Sequence, residues 1–138
     1  MADGNRGSAV DELFVYGTLR AGQPGRRLIL PYLRSSTPAT TQGRIVALRG
    51  GYPGLLDDPD ATARVIGELI EVAEPGRALA AFDDYEGDEY HRVRREVVLH
   101  NGQRAQPWCY VLRSAPNPGD AEPIAGGDWI AYTAGYKK

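Results

Sequence analysis

Apolar positions in this chain come in short bursts separated by turn-forming residues. "ELFVYG" (Glu12 to Gly17) is an apolar and aromatic run that stops at a glycine, and it predicts a strand. "TLRAGQPG" follows as a loop. "RRLILPYLR" (Arg26 to Arg34) suits a short helix interrupted by Pro31. "QGRIVALRG" (Gln42 to Gly50) and "ARVIGELIEVA" (Ala63 to Ala73) predict two more strands, joined by the turn-rich "GGYPGLLDDPDA". The best helical pattern is "EPGRALAAFDDYEG": Pro75 suits the first turn, Leu79 and Phe82 share a face, and Gly87 can end the helix. "HRVRREVVLH" and "QRAQPWCYVLR" flank Asn101-Gly102, the preferred two-residue turn of a β-hairpin, with Pro107 tolerable at an edge or bulge. "APNPGDAEPIAGG" reads as a loop and "DWIAY" as a final short element.

Five or six strands, one clear helix and one short interrupted helix predict an α+β fold. Its centre is a mixed, barrel-like β-sheet with flanking short helices. The 138 residues fit one domain with a real core. Residues 1–11 are small and polar and read as a flexible tail, which leaves 12–138 as the domain. A net charge of -2 gives no support to a nucleic-acid partner, which calls for a strongly basic face. No apolar run is long enough for a bilayer, and the N-terminal residues lack the apolar core of a signal peptide. The reading is therefore a cytoplasmic protein with no membrane partner; the residues do not specify an oligomeric state. Cys109 is the only cysteine, so no disulfide forms within the chain.

Two stretches carry candidate chemistry. In "FVYGTLR", Gly17 follows the strand directly and can adopt a positive φ. The N–H groups of Gly17, Thr18 and Leu19 then converge on an anion such as a carboxylate; the plain alternative is an ordinary strand-to-loop turn. In "FDDYEGDEYHR", five of the seven residues from Asp83 to Glu89 are acids. Glu86 sits at the negative end of the predicted helix among Asp83, Asp84, Asp88 and Glu89. Both effects raise its pKa, and burial raises it further. A shift of two to three units brings a glutamate to roughly 6–7, the useful range for a general base. The plain alternative is a solvated helix end. A calcium loop fails, because placing Gly87 at loop position six puts Phe82 at position one, where a ligand is needed. His91, His100 and Cys109 make a poor zinc set, and no metal site is expected.

Taken in order, "FVYGTLR", "GYPGLL", "VIGELIEV", "FDDYEGDEYHR" and "WCYVL" resemble the gamma-glutamylcyclotransferase-like family, from about Leu13 to Tyr132. The resemblance implies a compact fold whose barrel-like sheet encloses a cavity. It implies that Glu86 is the catalytic acid/base and that Tyr16, Gly17, Thr18 and Leu19 form the substrate-binding loop. It also implies that Tyr90 and Tyr110 are aromatic residues of the pocket. The implied reaction releases 5-oxoproline from a small gamma-glutamyl amine or amide, by attack of the α-amine on its own side-chain carbonyl, with no cofactor. Two other readings stand beside it. One is a non-catalytic module of the same fold that holds a gamma-glutamyl-like or amino-acid ligand. The other is a transferase or hydrolase in which Glu86 activates an external nucleophile.

Overall fold

The computed structural model describes residues 10–58 and 62–136. The expected tail lies mostly outside the described residues, and its last two positions, Val10 and Asp11, begin the first strand. The chain runs β1 (Val10–Val15), α1 (Arg26–Ile29), β2 (Leu33–Gln42), β3 (Ile45–Leu48), β4 (Pro53–Leu55) and β5 (Arg64–Ala73). It continues through α2 (Pro75–Glu86), β6 (Tyr90–Arg94), β7 (Val97–Leu99), β8 (Arg104–Ala105), β9 (Trp108–Leu112), β10 (Ala121–Pro123) and α3 (Trp129–Tyr136). Seven strands form a curled half-barrel in the order β6-β9-β1-β5-β2-β7-β8, and β10-β3-β4 form a small second sheet. The expected α+β class with a mixed sheet is what the molecule shows. Among the described residues no helix is long and apolar enough to cross a membrane.

Strand β1 is central because both of its faces are apolar. Leu13 and Val15 pack with Val72, Leu79 and Phe82 under α2, whereas Phe14 and Tyr16 point into a second cluster with Leu55, Leu69 and Cys109. It pairs antiparallel with β5 and parallel with β9, which brings chain segments almost a hundred residues apart into one layer. Burial of large side chains on two faces stabilises each by about 1.5–3 kcal/mol, so the short strand is strongly anchored.

Several elements depart from the sequence expectation: β4 lies in the stretch read as a turn-rich connection and β10 in the one read as a loop, each a three-residue strand that pairing with β3 creates. The ten-residue β2, "LRSSTPATTQ", was not predicted, because serine and threonine supply no apolar alternation. It is held by ladders on both sides, to β5 and β7, and by the Thr41 hydroxyl, which donates to the Glu96 carbonyl at 2.7 Å. The predicted hairpin is split. Its base, β6 with β9, lies at one edge of the large sheet; its tip, β7 with β8, pairs with β2 at the other. The break falls at Arg95, whose N–H bonds the carbonyl of the buried Pro107. A proline lacks the N–H that would continue the ladder, so the strands part there. The Asn101-Gly102 turn is also wider than two residues. Only Gly102 of the pair has a positive φ (88°), and the Asn101 side chain instead accepts the N–H of Gln103.

Candidate active site

Helix α2 fixes where Glu86 points. Ala78, Leu79 and Phe82 bury one face against β1 and β5, and Glu86 lies four residues beyond Phe82, on the same face. Gly87, with φ 76°, then ends the helix, its N–H returning to the Asp83 carbonyl. The result separates the acidic cluster: Asp83, Asp84, Asp88 and Glu89 are exposed and Glu86 alone turns inward. Burial pushes the Glu86 carboxyl up to about 7. The two other expected causes are not what shifts it. Asp83 is neutralised by a two-pronged bond from Arg92 (2.8 and 3.1 Å). Glu89 lies at the surface, where it accepts the Tyr52 hydroxyl at 2.7 Å.

Glu86 borders a cavity of about 370 Å³. The end of β1, the approach to β4, the end of α2 and strand β9 meet around it. Tyr16, Gly17, Thr18, Leu19, Glu86, Tyr90 and Tyr110, the residues singled out from the sequence, all line it. Tyr52, Tyr85 and Glu89 line it too and were missed. Tyr16 is a structural tie more than a contact group. Its hydroxyl donates to the Tyr110 carbonyl at 2.7 Å and accepts the Leu55 N–H at 3.0 Å, so it joins β1, β9 and β4. Tyr90 donates to the Pro53 carbonyl at 2.7 Å and Tyr110 to the Asp83 carboxylate at 2.6 Å.

The turn after β1 closes with the Arg20 N–H on the Gly17 carbonyl (3.1 Å), and the Gly25 N–H bonds the Thr18 carbonyl (2.8 Å). Among the described residues, no turn or loop hydrogen bond uses the N–H of Gly17, Thr18 or Leu19. These donors are therefore open to an incoming acceptor. The expected reason for Gly17 is corrected: its φ is not positive. Glycine is needed for space, since a Cβ there would stand 2.4 Å from Pro53 Cγ. Gly17→Ala is expected to destabilise the fold by about 1–3 kcal/mol through this overpacking, read from the urea midpoint.

Glu68 on β5 fastens the same loop from below. Its carboxylate accepts Arg26 at 2.8 Å, the Ala21 N–H at 3.1 Å and the Ser36 hydroxyl at 3.1 Å, and lies 3.6 Å from Arg20 Nε. Arg26 also donates to the Leu19 carbonyl. The signal in the sequence was a pair of acids, Glu68 and Glu71, inside the apolar run "VIGELIEV", followed by no local cation to pair with them.

Comparison with known proteins gives these residues a context. A family profile described as "Gamma-glutamyl cyclotransferase, AIG2-like" matches residues 13–131. A bovine (Bos taurus) gamma-glutamylaminecyclotransferase is 36% identical over 117 residues, which cover 77% of this chain and 67% of that protein. The gamma-L-glutamyl-butirosin B gamma-glutamyl cyclotransferase of Niallia circulans is 32% identical over 128 residues, covering 87% of this chain and 76% of that protein. Among solved structures, an AIG2-like protein from Mus musculus superposes with a TM-score of 0.63 at 28% identity, over 78% of this chain and 80% of that one. YkqA from Bacillus subtilis shares the fold at a TM-score of 0.74 and 22% identity, with 94% of this chain spanning 43% of that one. The profile covers nearly all of the described fold, from β1 into α3, and the chain belongs to the gamma-glutamyl cyclotransferase, AIG2-like family.

Proposed function

We propose that the chain is a gamma-glutamyl cyclotransferase that releases 5-oxoproline from a small gamma-glutamyl amine or amide, with Glu86 as general base and then general acid. The observation that carries this reading is a single cavity in which a half-buried carboxyl of pKa about 7 shares the walls with main-chain N–H groups that no turn bond occupies. The names of the bovine and Niallia proteins, both gamma-glutamyl cyclotransferases, support the substrate class.

The chemistry follows from proton balance. A free α-amino group has a pKa of about 7.7–8.0, so it enters mostly as ammonium and must lose a proton before it can attack. Glu86 as carboxylate takes that proton. The neutral amine then adds to the γ-carbonyl carbon of the same molecule, closing a five-membered ring. The C–N bond to the leaving amine breaks as Glu86 returns the proton to it, and the second proton of the attacking nitrogen then passes by way of the Glu86 carboxylate to the released amine, which leaves a neutral lactam and a departing ammonium. A pKa near 7 lets one group do both steps at neutral pH. The N–H groups of Gly17 to Leu19 hold the α-carboxylate and fix the rotamer in which amine and carbonyl meet, capturing part of the roughly 7–11 kcal/mol available to oriented intramolecular reactions.

The test is a set of gamma-glutamyl amines and amides, with released products identified by mass. Ring-closed 5-oxoproline supports the proposal. Open-chain glutamate would indicate an external nucleophile, and binding without turnover a non-catalytic module; either result overturns it. Because the base works ionised on an ammonium substrate, kcat/KM is expected to fall about tenfold per pH unit below 7 and to fall again above about 8 as the α-ammonium loses its proton.

A further inference from the structure

The hydroxyl hydrogens around the cavity are almost all committed. Tyr16, Tyr52, Tyr90 and Tyr110 donate respectively to the Tyr110 carbonyl, Glu89, the Pro53 carbonyl and Asp83. Tyr85 and Thr18 share one bond of 3.1 Å between their hydroxyls, which leaves one O–H proton on the side of the turn. Among the described residues the cavity has no lysine, arginine or histidine in its lining. A phenol that has given away its proton offers only lone pairs. The wall bearing Glu86, Tyr90 and Tyr110 is thus an acceptor wall, and the main-chain turn is a donor wall. That polarity matches an α-amino acid head, with ammonium toward the first wall and carboxylate toward the second.

Resting on the glutamyl reading above, we propose that Asp83 is a positioning residue for substrate selection. By holding the Tyr110 proton it presents the phenol oxygen as an acceptor to the substrate's α-ammonium, so the cavity favours gamma-glutamyl compounds whose α-amine is free. The geometry supports the assignment at each link. Arg92 clamps both Asp83 oxygens, and the Tyr110 hydroxyl meets one of them at 2.6 Å. The Arg92 bond holds the Asp83 carboxyl below the usual range, so it stays an acceptor. Burial, with the Asp83 bond, pushes the Tyr110 phenol upward, so the proton stays in place. A ligand whose α-amine is acylated or missing has no cation to offer this wall.

The experiment is calorimetric titration of the full chain with S-propylhomocysteine and with its counterpart lacking the α-amine. In both, a thioether replaces the γ-carbonyl, so no ring can close. The parent is expected to prefer the amine form by about tenfold or more, the size of a hydrogen bond to a charged group. Asp83→Ala and Tyr110→Phe should each shrink that ratio by about three- to tenfold, with the amine form losing more affinity than the amine-free ligand. Asp83→Asn, which keeps a carbonyl acceptor, should retain more of the ratio than Asp83→Ala. A ratio that survives both substitutions, or equal weakening of both ligands, overturns the assignment while the glutamyl reading stands. Failure of the parent to bind either ligand removes both.

Discussion

Glu86→Gln is expected to lower the rate of 5-oxoproline release by about 100- to 10,000-fold, the usual contribution of a positioned acid–base group. The substitution keeps the shape and most of the polarity of the side chain, and no hydrogen bond of Glu86 is lost among the described residues, since burial is the only cause of its raised pKa. The amide can neither take the proton from the α-ammonium nor return one to the leaving amine. The Gly17–Leu19 donors are untouched, so KM should move far less than kcat. Product release measured against time, with circular dichroism to confirm the fold, checks this. A variant that works at the parent rate would remove Glu86 from the mechanism.

The same substitution should stabilise the protein at alkaline pH. The Glu86 carboxyl has an ordinary value of 4.5 and a folded value of about 7. Between those two values the folded chain keeps a proton that the unfolded chain has released, so stability falls as pH rises through this window and is flat above it. At 1.36 kcal/mol per unit, the ionised carboxylate costs the fold at most about 3 kcal/mol at pH 8. Glutamine carries no charge to desolvate. Its urea midpoint should exceed that of the parent at pH 8, and the advantage should fade toward pH 5. Equal midpoints at pH 8 would mean that the carboxylate is well solvated. Paired with lost activity, the gain would identify Glu86 as a residue whose placement sacrifices stability to chemistry.

How much of this was legible in the sequence depended on the range of the interactions involved. The role of Glu86 was indicated by the family resemblance and the crowding of acids around it, and its inward turn follows in the structure from a four-residue step beyond Phe82, a local property of a helix. The turn after β1 was readable, announced by a glycine at the end of an apolar run. The reason for that glycine was not readable, because Pro53 is brought to it by the fold. Strand β2 escaped because its partners on both sides, not its own pattern, make it a strand. Asp83 looked like one more solvated acid. Its bonds to Arg92 and Tyr110 cross between α2, β6 and β9, and only the assembled sheet aligns them. Glu68 was hidden for the same reason, with Arg20 and Arg26 reaching it from a loop more than forty residues away.

The strand that leads into the active-site turn is sandwiched between partners from the middle and the far end of the polypeptide. Such non-local pairings form slowly, because long stretches of chain must be closed before they are rewarded. A nascent or nicked polypeptide lacking β9 therefore has neither Tyr110 nor one flank of β1, and has no partially competent precursor to offer. Formation of the candidate cavity is therefore expected to be all or nothing, and the recovery of 5-oxoproline release after dilution from denaturant should track the last kinetic phase.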